Sequence, residues 1–261
     1  MPALPAASDL AALPVDELSL LVLRRMVARK HPTFKQPQLL SDLLKEAGMK
    51  MPSDSAYRRE GAQPADPPHL GRALAEAWGW LASEALIAEA VTGLFGQLPV
   101  EGFFFVTRLG ERVAAHPRAL EWVAAERRLG FLLHPRLEDR VRRQFVMGEF
   151  EAAAFIAMKE VEVAVREGAE LPESMIGTDL MNKAFGDGGR LADTAALRSE
   201  REGLQSLYRG AISVFKNPTG HRRVGYEDPV EAAEIVLLAD LLLRIADRAA
   251  GSSADADARG A

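Results

Sequence analysis

Cysteine is absent from this 261-residue chain, which excludes a disulfide framework and a thiolate metal site. Aromatic residues are scarce, with three Tyr and three Trp, while Ala, Leu, Glu and Arg are abundant, a composition that favours helix over sheet. No long hydrophobic run occurs: the most apolar stretch, Ile235 to Ile245, is broken by Asp240 and Arg244 and is too short to span a bilayer. The opening Met1-Pro2-Ala3-Leu4-Pro5 lacks the basic start and sustained apolar core of a signal peptide, so a cytoplasmic protein with no membrane association is expected. Positive charge is not in excess either. The 32 Lys and Arg face 37 Asp and Glu, giving a net charge of −5, so any nucleic-acid contact must come from a local patch.

What is present is helical periodicity, and the expected class is mainly α with two domains. Residues 1–12 and 251–261 are small and polar and are expected to be disordered. Within 13–115, apolar spacing predicts helices over Asp16–Ala28 and Gln38–Ala47, a polar loop over Met51–Pro68, and a third helix over Leu70–Glu84 with Leu74, Ala77, Trp78 and Leu81 inward. Residues 85–91 and Gly102–Thr107 then read as a β-hairpin, with Thr107 to Arg112 as the end of a wing. Three helices followed by a hairpin resemble a winged helix-turn-helix. DNA reading by it is a weak expectation: Arg72 on the third helix is opposed by Glu76 and Glu84, although Arg58, Arg59 and Arg108 could touch phosphate.

From 116 to 250 the pattern is helical throughout: Pro117–Leu129, Pro135–Met147, Glu149–Glu167, Pro172–Phe185, Arg198–Lys216 and Asp228–Ala249. His116-Pro117 and His134-Pro135 read as helix starts rather than ligands. His31 and His69 are placed in loops without partners at ligand spacing, so no metal site is expected. Gly186-Asp187-Gly188-Gly189 follows a helix and has no Gly-Lys-Ser/Thr element, which makes it a turn, not a phosphate loop. The last helix is apolar almost all round, through Val236, Leu237, Leu241 and Leu243 in addition to its main stripe. That predicts burial on two sides, inside the bundle or against a second copy.

Two basic clusters stand out. One is Arg136, Arg140, Arg142 and Arg143, diluted by Glu138 and Asp139; the other is Lys216, Arg222 and Arg223, around Phe215-Lys216-Asn217-Pro218-Thr219-Gly220-His221. Pro218 disfavours helical geometry at Asn217 and Gly220 permits a turn, so His221 is expected to project from a break between apolar helices. Imidazole titrates near neutrality, and a histidine beside a cation and an amide suits nucleic-acid cleavage; a solvated polar turn is the plain alternative. Glu162 and Arg166, spaced i and i+4, read from spacing alone as a surface ion pair.

Three ordered blocks carry a resemblance: Phe150 to Arg166, Gly177 to Phe185, and Gly210 to Arg223. They are similar to the Ymh-type family of the HEPN superfamily, over roughly residues 130–250. The resemblance implies a C-terminal HEPN helical bundle behind an N-terminal winged-helix-like region, and a homodimer. It also implies a metal-independent endoribonuclease without cofactors, acting on RNA in prokaryotic anti-phage defence or a toxin-like system, with a defence-system protein as a further partner. The superfamily motif of Arg, a polar residue, a spacer and His falls on Lys216, Asn217 and His221 as catalytic residues. Lys in place of Arg keeps the charge and loses the planar fork. Glu162 and Arg166 match a Glu-x3-Lys/Arg element found in parts of the superfamily and, with Arg222 and Arg223, are the supporting residues. The alternative is a non-catalytic nucleic-acid- or nucleotide-binding, or partner-binding, regulatory module.

Overall fold

The computed structural model describes residues 4–31, 33–48, 68–90, 102–130, 132–217 and 225–260. The loop expected after Met51, with Arg58 and Arg59, lies outside the described residues up to Pro68. The chain is mainly helical and divides into two compact units, Met1–Val123 and Ala124–Ala261. Among the described residues no helix is long and apolar enough to cross a membrane.

The first unit contains α1 (Ala7–Ala12), α2 (Val15–Arg29), β1 (Phe34–Lys35), α3 (Gln36–Glu46), α4 (Pro68–Ser83), β2 (Ile87–Glu89), β3 (Phe103–Val106) and α5 (Arg108–Ala115). Asp16 and Glu17 sit in the first turn of α2, where the helix dipole favours negative charge, and Pro37 starts α3 where a missing N–H costs nothing. Leu18, Val22 and Met26 of α2 and Leu74, Ala77, Trp78 and Leu81 of α4 form the core, and Trp78 meets Phe104 edge-on at 5.0 Å. The two expected strands pair antiparallel, Ile87 opposite Val106, and β1 adds to the other edge of β3 with Phe34 opposite Phe104.

Several expectations are corrected here. Residues 7–12 are helical, not disordered, because Leu10 is buried and anchors an Ala-rich turn. His69 lies in α4 rather than in a loop. Thr107 to Arg112 does not end a wing; it starts α5. The Thr107 Oγ1 accepts from the Gly110 N–H at 3.0 Å, the arrangement of an N-cap, and donates to the Ala85 carbonyl at 2.8 Å. Gly110 lies against the sheet, where a Cβ would fall 2.1 Å from the Leu86 carbonyl oxygen. Gly110→Ala should therefore lower the stability of this unit by about 2–4 kcal/mol, the range of overpacked or strained core sites, read by urea unfolding.

The second unit holds most of α6 (Ala119–Leu129), then α7 (Pro135–Glu138), α8 (Arg140–Val146), α9 (Phe150–Gly168), α10 (Gly177–Phe185), α11 (Arg198–Ala211), a π-turn (Ile212–Lys216) and α12 (Pro229–Gly260). The single helix expected over 135–147 is two, broken at Asp139. The expected helix over 172–185 begins at Gly177, whose φ of 63° suits glycine, after a turn from Pro172 to Met175. At the other end, α12 runs through Gly260 where disorder was expected. Its alternating Ala keeps the helix intrinsically favourable.

Helix α9 is the spine. Ala153, Ala157, Met158, Val161 and Val165 are fully buried, and α12, α8, α10 and the π-turn all pack on it. Most of the apolar surface of α12 is covered within this unit: Val236 and Leu243 are buried with Leu242 and Ala239, while Leu241 stays 50% exposed. Of the two burials expected for this helix, inside the bundle or against a second copy, Val236 and Leu243 have the first.

Candidate functional site

Glu162 sits in the apolar stripe of α9 between Met158, Val161 and Val165, and is 4% exposed. A buried carboxylate requires partners, and it has two. Oε1 is 3.2 Å from Nη2 of Arg166, one turn on, and Oε2 is 2.9 Å from Nζ of Lys216. Arg166 also donates through Nε to the Met175 carbonyl at 3.1 Å, tying the pair to the segment that leads into α10. The expected surface ion pair is therefore a three-charge cluster, two partly exposed cations on one buried anion. Its surplus positive charge, at side chains 17% and 19% exposed, can attract an oxyanion such as phosphate.

Lys216 reaches this position through the π-turn. Tyr208, Ala211 and Ile212 are buried and fix α11 on the bundle, and the wider turn then places one extra residue before Asn217. Asn217 N–H bonds the Ile212 carbonyl, five residues back, and this bond holds Asn217 at φ −64° and ψ −43°. Asn217 is thus helical although Pro218 follows it, a correction to the expectation that the proline disfavours that geometry. Single π-turns recur at functional sites because they re-aim the residues that follow.

His221, Arg222 and Arg223 lie outside the described residues. Both described flanks of that segment are tied to α9, Lys216 to Glu162 and the Gly225 N–H to Glu151 Oε2 at 3.2 Å. Glu151 and Glu162 are about three helical turns apart, so the two anchors share a face of α9. The structure thus unites Glu162, Arg166 and Lys216, with Asn217 next along the same helix. Glu151 was missed from sequence, since one glutamate in the first turn of a helix carries no signal of its own. The burial of Glu162 did carry one: it interrupts an otherwise apolar face.

The other basic cluster is largely neutralised. Arg136 pairs with Glu167 and Glu160, Arg142 with Glu126, Glu138 and the Gly130 carbonyl, and Arg143 with Asp139. His116 and His134 act at helix starts, their Nδ1 atoms accepting from the Arg118 and Arg136 N–H groups at 3.1 and 3.3 Å. The Nε2 of His134 meets Asp247 at 2.8 Å. Among the described residues no three His, Cys, Asp or Glu side chains gather as metal ligands.

Tyr208 locks the helix that carries the π-turn. Its ring stacks on Phe185 with centroids 4.2 Å apart, and its hydroxyl donates to the Leu242 carbonyl at 2.5 Å. Burial pushes its pKa well above the ordinary value of about 10, with Asp247 adding to the rise and Arg248 opposing it. The proton is held more tightly in the folded state, so the stability it contributes is intact below pH about 10 and is lost as pH rises beyond that towards the folded pKa. Tyr208→Phe should cost about 1 kcal/mol at pH 7 and flatten the fall in stability between pH 10 and 11, both measurable by urea unfolding.

Residues 132–245 match the family model described as Protein of unknown function (Hypoth_ymh). No curated protein and no solved structure gives a significant match to the chain.

Proposed function

From a chain whose residues 132–245 belong to the Ymh-type family, we propose that the second unit is a HEPN-type endoribonuclease domain that cuts RNA without a metal. The observation that carries the proposal is the Glu162–Arg166–Lys216 cluster at a π-turn directly before the His221 segment. RNA supplies its own nucleophile, the 2′-OH, so the protein needs a proton-transfer group and charge on the phosphate. His221 moves protons. Lys216 stabilises the pentavalent phosphate, Asn217 orients it, and Arg222 and Arg223 hold the flanking backbone. Glu162 and Arg166 fix the ammonium group in place. The biological setting we assign is prokaryotic anti-phage defence or a toxin-like system, with the first unit as a winged-helix-like sensor or partner-docking module.

The working form in this reading is a homodimer whose two His221 turns face each other. Leu207 and Val214, 43% and 55% exposed, lie two helical turns apart and end just before Lys216, so they offer a second copy more open apolar surface near the site than α12 does.

A second reading has its own support. Lys216 is held by Glu162 at 2.9 Å, which is also what a purely structural lysine in a binding or regulatory module would show. Incubating purified protein with RNA in EDTA separates the two. Cleavage that disappears in a folded, dimeric His221→Ala variant supports the ribonuclease. Intact RNA, or cleavage undiminished by the substitution, overturns it.

A further inference from the structure

A cleft of about 810 Å3 opens in the second unit between the loop after α10, Leu204 near the middle of α11, and the stretch of α12 from Ile245 to Ser252. That volume lies in the range of small-ligand sites. Its walls are of two kinds. Leu191, buried at 1% exposure, and the half-buried Leu204 and Ile245 give it an apolar floor, while Arg190 and Arg248 are the two cationic residues in its lining.

The loop is built to hold its part of that lining in place. The N–H groups of Gly189, Leu191 and Ala192 bond the carbonyls of Gly186, Ala184 and Gly189 at 2.8, 3.0 and 3.0 Å. A Cβ on Gly186 or on Gly189 would fall 2.4 Å from the Asn182 or Ala184 carbonyl oxygen, so both glycines serve close packing against the end of α10. The glycine-rich stretch is therefore the turn its sequence predicts, and its product is a rigidly presented Arg190. Arg190 Nη2 lies 3.0 Å from Glu170, a carboxylate 70% exposed and easily exchanged for another anion. Asp193 also lines the cleft, but its carboxylate accepts from the Ala195 N–H at 2.9 Å and is engaged in its own turn.

We propose that this cleft binds a small amphipathic anion, its phosphate, sulfonate or carboxylate head between Arg190 and Arg248 and its apolar or aromatic body on Leu191, Leu204 and Ile245. Guanidinium groups suit flat or tetrahedral oxyanions, and the half-covered leucine and isoleucine surface favours an apolar body over a bare ion. A polyanion would call for a run of cations, and the cleft presents two. The inference stands apart from the ribonuclease reading, because none of these residues belongs to the Glu162–Lys216 cluster.

The probe is 8-anilinonaphthalene-1-sulfonate, titrated by fluorescence into the full-length protein, with uncharged N-phenyl-1-naphthylamine as the matched control. Saturable one-to-one binding of the sulfonate is expected, weakened about tenfold by Arg190→Gln and by Arg248→Gln, the size of one lost hydrogen bond to a charged group. The uncharged control should bind at least about tenfold more weakly than the sulfonate. Equal affinity of the variants and the wild type, or equal binding of the two probes, overturns the proposal. If Arg190→Gln does not fold by circular dichroism, Arg248→Gln decides, since Arg248 sits on the exposed face of α12.

Discussion

Glu162→Ala should lower the free energy of unfolding by about 2–4 kcal/mol, somewhat less than the full cost of stranding a buried charge because Arg166 and Lys216 can draw on some solvent. The carboxylate is the shared partner of both cations, so removing it leaves two positive charges facing one another beside an apolar stripe. Single substitutions of the cations should cost less, as each leaves Glu162 with one partner. The double variant Glu162→Leu, Lys216→Met should recover much of the loss, because a buried ion pair replaced by apolar side chains of similar size is often close to neutral. A double-mutant cycle by urea unfolding measures this directly. Additive effects of the two substitutions would show that Glu162 and Lys216 do not act as a pair.

Lys216→Ala should reduce RNA cleavage by about 100-fold or more, the usual cost of removing one charge stabiliser at a transition state, while Lys216→Arg should retain activity or exceed it. Arginine keeps a cation opposite Glu162 and adds the planar fork that grips two phosphate oxygens. The stability of both variants must be followed alongside, since Lys216 is a partner of a buried carboxylate as well as the proposed phosphate contact. Activity lost equally in both variants, with folding intact, would argue for a role specific to the lysine amine. Activity kept equally in both would remove Lys216 from the site.

How far the sequence foretold this arrangement depended on the length scale of each signal. Long amphipathic patterns were legible: α2, α4, α9 and the core of α12 fall close to where apolar spacing places them, because four or more buried side chains repeat the helical period. The pairing of β2 with β3 was legible from two apolar runs flanked by turn residues. Short elements were not. β1 is two residues, Phe34 and Lys35, too few to show a period of two, and α1 depends on the single buried Leu10. Thr107 was readable as a cap in hindsight, since Glu111 follows in the first helical turn, but the wing pattern competed with it.

At the candidate site, the sequence supplied the residues and the structure supplied their relation. Spacing put Glu162 and Arg166 one turn apart, and the apolar face that Glu162 interrupts was the one sign that its carboxylate is buried, with Arg166 partly exposed beside it. Nothing in the residues between Ile212 and Lys216 marks a π-turn; what surrounds it is tertiary, with α11 packed on α10 and the π-turn on α9 and α10. That turn brings Lys216 onto Glu162 across 54 positions of sequence. Met175 and Glu151 contribute a backbone carbonyl and an anchoring carboxylate whose roles no motif encodes.

The central claim is that this site cleaves RNA through its 2′-OH, and the chemistry of the product ends tests it most directly. A defined RNA incubated with the protein in EDTA should yield fragments ending in 2′,3′-cyclic phosphate with 5′-hydroxyl partners, identified by mass spectrometry, and a single 2′-deoxy substitution at the cut position should abolish cutting there. Fragments with 3′-hydroxyl and 5′-phosphate ends, or RNA left intact, would contradict the account.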